Sequence, residues 1–255
     1  MKKTILVIAR KEIVDGLRDA RAVMASLVYA LMGPVVVGLV SLSVHSGKVT
    51  AAMMAVFTLV SAFVGGMSVA MDTIAGERER HCLLPLLLNP VDRRSVAIGK
   101  WLAVSFFAVA GLAVNVSGCL AVVTLTGMRT TSPDLGMVLS AAFALSALGL
   151  LAAAVQLVIS TLTNAVKEAQ TYLSLVVFLP MGVGMFLIFS PAANGPWSVL
   201  LPMAGQLLQV QALMNGTPFQ WLAAFVSGVL TVGVAILMLM VAADRLEHHE
   251  IHYWS

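Results

Sequence analysis

Four charges of alternating sign, Glu77, Arg78, Glu79 and Arg80, stand directly before His81, Cys82 and the run Leu83-Leu84-Pro85-Leu86-Leu87-Leu88, which ends at Asn89-Pro90. Carboxylates and guanidinium groups around an apolar centre have the make-up of a protein-docking surface, in which a partner buries Leu83, Leu84, Leu86, Leu87 and Leu88 and the charges form a wet rim. The same residues have a plainer reading: leucines resting on a membrane surface and charges that are a solvated helix end. Residue types alone leave both open. A second cluster, His248, His249 and His252 with Glu247 and Glu250, could hold a metal, because residues 248 and 252 share a helical face. The zinc pattern H-E-x-x-H fails there, since His249-Glu250 leads to His252-Tyr253, and a solvated tail is the simpler reading.

Other chemistry is missing from the sequence. No phosphate loop of the type G-x-x-x-x-G-K-[ST] occurs, so this chain has no evident means of binding and hydrolysing ATP, and no cofactor, metal or catalytic residue is expected in it. Cys82 and Cys119 lack metal-ligand spacing and are not expected to pair. Most of the fifteen methionines fall in apolar stretches, where they are flexible filler.

The elements that would carry such a surface are membrane helices. Of 255 residues, 60% are apolar and 11% charged, with a mean hydropathy of +0.97. A soluble globule of that size would carry about twice the charge. The charges are bunched, leaving 75 uncharged residues from Ala169 to Ala243. A crossing helix needs about 20 apolar residues. Six segments qualify: Ala22 to Val44, Val49 to Met71, Trp101 to Thr126, Gly136 to Ile159, Ala169 to Phe189 and Phe219 to Ala243, none containing Lys, Arg, Asp or Glu. No Asp, Glu or His inside them could relay protons, which argues against an ion-coupled transporter. Asn115, Ser117, Thr124, Gln156 and Ser61 read as bonds between helices. Gly65, Gly66, Ser68 and Ala70, with Gly182 and Gly184, permit close helix approach, either inside the chain or at a subunit interface.

With the N-terminus inside, thirteen of the fifteen Lys and Arg residues fall on the inner side and only Lys48 and Arg129 outside. The positive-inside rule then places both termini in the cytoplasm. That bias also accounts for the net charge of +3 without a nucleic-acid partner. The apolar run Ile5 to Ala9 is too short for a cleaved signal peptide. Residues 1–21 wind instead into an amphipathic elbow, with Ile5, Ala9, Ile13 and Leu17 on one side and Lys11, Glu12, Asp15, Arg18 and Asp19 on the other. It is expected to lie on lipid, the alternative being a cap packed on other helices. A single transmembrane domain follows: spans 1 and 2 over 22–71, a cytoplasmic loop over 72–100, spans 3 to 5 over 101–189, an outer segment over 190–218, span 6 over 219–243 and a tail over 244–255. Pro191, Pro196, Pro202 and Pro218 break the outer segment, which reads as a re-entrant or interfacial pair of short helices, with a seventh crossing as the rival.

Arg10-Lys11-Glu12, Asp15-Gly16-Leu17-Arg18-Asp19, Asp72-Thr73-Ile74-Ala75-Gly76-Glu77-Arg78-Glu79-Arg80, Leu84-Pro85-Leu86-Leu87-Leu88-Asn89-Pro90 and Gly99-Lys100 resemble the membrane subunits of ABC-type-2 transporters. The nearest branch is the sodium-extrusion permeases, some of which carry a large outer domain where this chain has a short turn around His45 to Lys48. The resemblance implies an all-α permease of an ATP-driven exporter in the bacterial inner membrane, paired with a second permease copy or a similar subunit. In that family the loop after span 2 resembles a coupling helix seated in an ATPase subunit, which would give Glu77 to Arg80 and Leu83 to Leu88 that contact, with Lys167 and Glu168 as minor neighbours. A membrane anchor that recruits an ATPase without moving solute is the other reading.

Overall fold

The computed structural model describes residues 2–44, 46–80, 92–127, 135–190, 196–215 and 221–248. Every element among them is helical. Helix α1 (Lys2–Arg18) leads into α2 (Ala20–Val44) across Asp19, whose carboxylate accepts from the backbone N–H of Arg21 at 3.0 Å and so caps the new helix. The second long element runs as α3 (Gly47–Gly65), α4 (Met67–Met71), a π-helical turn (Asp72–Gly76) and the short α5 (Glu77–Glu79). Then come α6 (Arg93–Leu125), α7 (Leu135–Leu162), α8 (Val166–Phe189), a 3-10 turn (Pro196–Leu200), α9 (Ala204–Asn215) and α10 (Trp221–His248).

Six of these helices are long and apolar enough to cross a membrane: Ala20–Val44, Gly47–Glu79, Arg93–Leu125, Gly136–Leu162, Val166–Phe189 and Trp221–Leu246. They coincide with the six segments expected from the sequence, the main difference being that the second extends well beyond the apolar stretch at its C-terminal end and the third at its N-terminal end. Helix α9, with 12 residues, is about 18 Å long, too short to cross a layer of about 30 Å.

Helix α3 is the buried centre, packed by α2, α6, α8 and α9, while α10 lies along α7. Small residues set the α3–α6 crossing. A Cβ on Gly111 would stand 3.1 Å from the Cα of Gly65, and one on Gly66 would stand 2.9 Å from the carbonyl of Val104, so these glycines serve internal packing. Asn115 joins three helices: its amide N–H donates to the Ala30 carbonyl of α2 at 3.0 Å, and its Oδ1 accepts from Thr58 of α3 at 3.4 Å. Ser61 donates to the Gly111 carbonyl, and Gln156 donates to that of Phe63. Three of the expected interhelical polar residues thus act as such. Ser117 and Thr124 instead bond to carbonyls of their own helix.

Candidate functional site

The second span does not stop at Met71. Its helix widens through the π-helical turn Asp72–Gly76, and such a turn leaves main-chain groups free for other partners. The freed carbonyl of Thr73 accepts from Lys100 Nζ at 2.6 Å. A Cβ on Gly76 would lie 2.4 Å from Asp72 Oδ1, so only glycine fits the turn without displacing that carboxylate.

Lys100, in the third turn of α6, is 0% exposed, yet its ammonium group is surrounded by charge. It donates to Glu12 Oε1 of α1 at 3.2 Å and stands 2.8 Å from Glu77 Oε2. That second contact is Coulombic, because Glu77 Oε2 lacks hydrogen-bond geometry with any partner. Lys11 completes the group, 3.2 Å from Glu12, 3.6 Å from Glu77 and 3.8 Å from Asp15. Burial on its own would lower the Lys11 ammonium. The charges of Glu12, Glu77 and Asp15 and the hydrogen bond to Glu12 outweigh burial and raise it above its ordinary 10.5. Two lysines and two glutamates therefore fasten α1, α5 and α6 to one another.

The next two charges reach the opposite way. The guanidinium of Arg78 donates to the carbonyls of Thr163 at 2.6 Å and Thr161 at 3.3 Å, and to Asn164 Oδ1 at 3.3 Å, satisfying carbonyls at the C-terminal end of α7. Glu79 accepts from the backbone N–H of Val166 at 2.7 Å, at the start of α8. Arg80 pairs with Asp72 at 2.7 Å, bracing the turn against itself. All four residues of the Glu77 to Arg80 run are thus bonded within the chain, and Glu79 and Arg80 also keep exposed faces at the inner end. Leu83, Leu84, Leu86, Leu87 and Leu88 lie outside the described residues, as does the tail from 249 onward. Lys167 is exposed, and Glu168 accepts from the Asn164 N–H at 3.0 Å within the α7–α8 turn.

The elbow differs from its expected orientation. Its buried stripe is Ala9 and Glu12, flanked by Ile5, Ile8 and Gly16, and it packs on α6. A Cβ on Gly99 would meet Ile8 Cγ2 at 2.8 Å, so Gly99 lets α1 lie close enough for Lys100 to reach Glu12. Glu12, expected on the polar side, is 8% exposed, and Leu17, on the apolar side expected to lie on lipid, is 54% exposed to the surroundings of the protein. Ile13 is half-buried, and Lys11 and Arg18 face outward. The physical reason is the buried ammonium of Lys100, which draws a carboxylate inward. Leu6, Val7 and Leu17 remain on an open apolar side. Lys100, Glu12 and Thr73 are the members that sequence reading missed. One signal was there: Glu12 sits only about 20° from Ile5 on the helical wheel, inside the stripe rather than opposite it.

The family described as ABC-2 family transporter protein matches residues 6–246, a range that contains every member of this inner cluster. The chain belongs to that family. This ABC-2 protein is also 37% identical over 210 residues to the ABC transporter permease protein NatB of Bacillus subtilis (strain 168). The match covers 79% of this chain and 54% of that relative, so the chain spans about half the length of the curated relative it matches. The ABC-2 membership and the six apolar helices make it an integral membrane protein, as its motifs indicated.

Proposed function

We propose that this chain is the permease subunit of an ATP-driven exporter, working beside a second permease copy, with a separate ATPase subunit docked at the end that carries residues 72–94. In this reading both termini are cytoplasmic and the membrane is the bacterial inner membrane. The ATPase holds ATP and Mg, and nothing in this chain is catalytic. The observation that carries the reading is the way Glu77, Arg78 and Glu79 bond α1, α6 and the α7–α8 turn at once. A displacement applied to the segment after span 2 is shared by four membrane helices, which is what a subunit without its own motor requires. Helix α9 and the 3-10 turn then lie on the outer side as broken helices packed against protein, a setting in which interrupted backbone is tolerated. The substrate class stays broad: sodium follows from the branch resemblance alone, and lipids, peptides or drugs suit an apolar route equally.

The test reconstitutes the chain with a candidate ABC ATPase subunit in proteoliposomes and follows ATP-dependent efflux alongside co-purification. Glu79→Arg should leave insertion intact and lower efflux or assembly. Co-purification with no ATP-dependent flux from the unaltered pair would favour the anchor reading, and unchanged efflux by Glu79→Arg would remove the role given to this segment.

A further inference from the structure

A groove of about 500 Å³ opens between the inner ends of α6 and α10, lined by Arg94, Ile98, Ile236, Leu239, Met240, Val241, Ala243 and Asp244. Its walls are apolar along their length and charged at one end only. Arg94 lies in the first turn of α6, on the same end of the bundle as the 72–80 segment, and its side chain is exposed. Its backbone N–H is capped by Asp92 at 3.3 Å, and its guanidinium has no hydrogen bond or ion pair among the described residues. Asp244, which lines the same end, has an interaction of its own within the protein. Ile236, Met240 and Val241 are large apolar side chains on the open face of the groove, at 42%, 61% and 47% exposure.

An unpaired guanidinium at the interface end of an apolar slot between two crossing helices complements one kind of molecule in a membrane: an anionic phosphate carrying acyl chains. We propose that this groove binds one anionic glycerophospholipid from the leaflet on the ATPase side, its phosphate on Arg94 and an acyl chain along Ile98, Leu239 and Met240. Bound there, the lipid braces the start of α6 about two turns from Lys100, so it lies against the helix that carries the elbow.

Native mass spectrometry of the full chain in mild detergent tests this with three probes: dioleoylphosphatidylglycerol, dioleoylphosphatidylethanolamine and glycerol 3-phosphate. The unaltered protein should retain one phosphatidylglycerol in preference to phosphatidylethanolamine, and glycerol 3-phosphate should not displace it. Arg94→Gln should weaken retention about fivefold, the worth of one basic residue at an anionic surface. Ala243→Trp, which fills the groove and leaves Arg94 in place, should weaken it as well, while Arg10→Ala on the exposed side of α1 should leave it unchanged. Equal retention by Arg94→Gln, equal retention of phosphatidylethanolamine, displacement by glycerol 3-phosphate, or a change of oligomer mass rather than lipid mass in Ala243→Trp would each overturn the proposal. The measurement needs no ATPase, so its failure leaves the coupling proposal where it stands.

Discussion

Replacing Lys100 by Met is the sharpest test of the inner cluster. The change keeps the length of the side chain and removes a charge that is 0% exposed. What it leaves behind decides the cost. Glu12 Oε1 and Glu77 Oε2, at 3.2 and 2.8 Å from the lost ammonium, would face one another without the cation between them, and the Thr73 carbonyl would lose its donor. Removing one partner of a buried charge group typically costs about 3–5 kcal/mol. Lys11 touches the same two carboxylates at 3.2 and 3.6 Å, but it is 58% exposed and replaces only part of the attraction, which points to the lower end, ~3 kcal/mol. In a chain of this size that corresponds to roughly 6–12 °C in the unfolding temperature. Thermal unfolding followed by tryptophan fluorescence reads the global effect, and trypsin cleavage among Lys3, Arg10 and Lys11 reads the release of α1. The reasoning makes a second demand. Lys100→Met combined with Glu12→Gln and Glu77→Gln removes all three buried charges, and most of the lost stability should return, because a neutral set has no unpaired ion to solvate. An unmoved unfolding temperature with α1 still protected, or a triple variant as damaged as the single one, would refute the claim that α1 is held by buried charge.

Asn115→Ala should cost about 1–2 kcal/mol, since it removes bonds to both α2 and α3 in a setting where each interhelical bond contributes about 0.6–1.7 kcal/mol, and unfolding in detergent checks it. Glu79→Ala should speed amide hydrogen exchange at Val166 while peptides from α1 keep their protection, because that carboxylate accepts only at the start of α8 among the bonds described. Lys11 has a raised pKa, so its contribution is fully present below 10.5 and is lost only as pH climbs through the higher folded value. Trypsin protection of α1 should therefore be flat between pH 7 and 9, and a loss of protection across that interval would contradict the raised value.

The six spans were legible because each is an uncharged run of the length a bilayer demands, and a run of that kind has few alternative folds. Lys100 was not. It precedes the apolar run by one residue, so hydropathy assigns it to the loop, and only tertiary packing shows that α6 starts at Arg93 and that Gly99 brings α1 over the neighbouring position. The placement of Glu12 was hidden with it. A hydrophobic stripe drawn from apolar residues alone cannot include an acid, yet Glu12 belongs to the stripe because its counter-charge waits in another helix. The charged run Glu77 to Arg80 stands out in the sequence, but its bonding pattern was hidden, since three of its partners are main-chain groups at Thr161, Thr163 and Val166 that no sequence pattern marks.

The braces on this segment are unequal, and the inequality gives the proposed coupling a direction. Glu77 is tied to a fully buried lysine, in a setting where breaking the contact strands a charge at a cost of several kcal/mol. Glu79 meets Val166 at the exposed edge, where water can replace the lost partner and the net worth of a hydrogen bond falls to about 1 kcal/mol. Arg78 lies between these limits, half-buried with three acceptors. A load applied after span 2 therefore parts the contact with α8 first, while α1, the π-helical turn and α6 stay joined. The moving body is then the inner ends of α1, α3 to α5 and α6, and the seam that yields lies along the α7–α8 turn. In the proposed coupling, a glutamate at position 79 would serve better than a buried pair, because a contact that opened and closed on each cycle would have to be cheap to break, and one that carried the elbow with it would have to be costly.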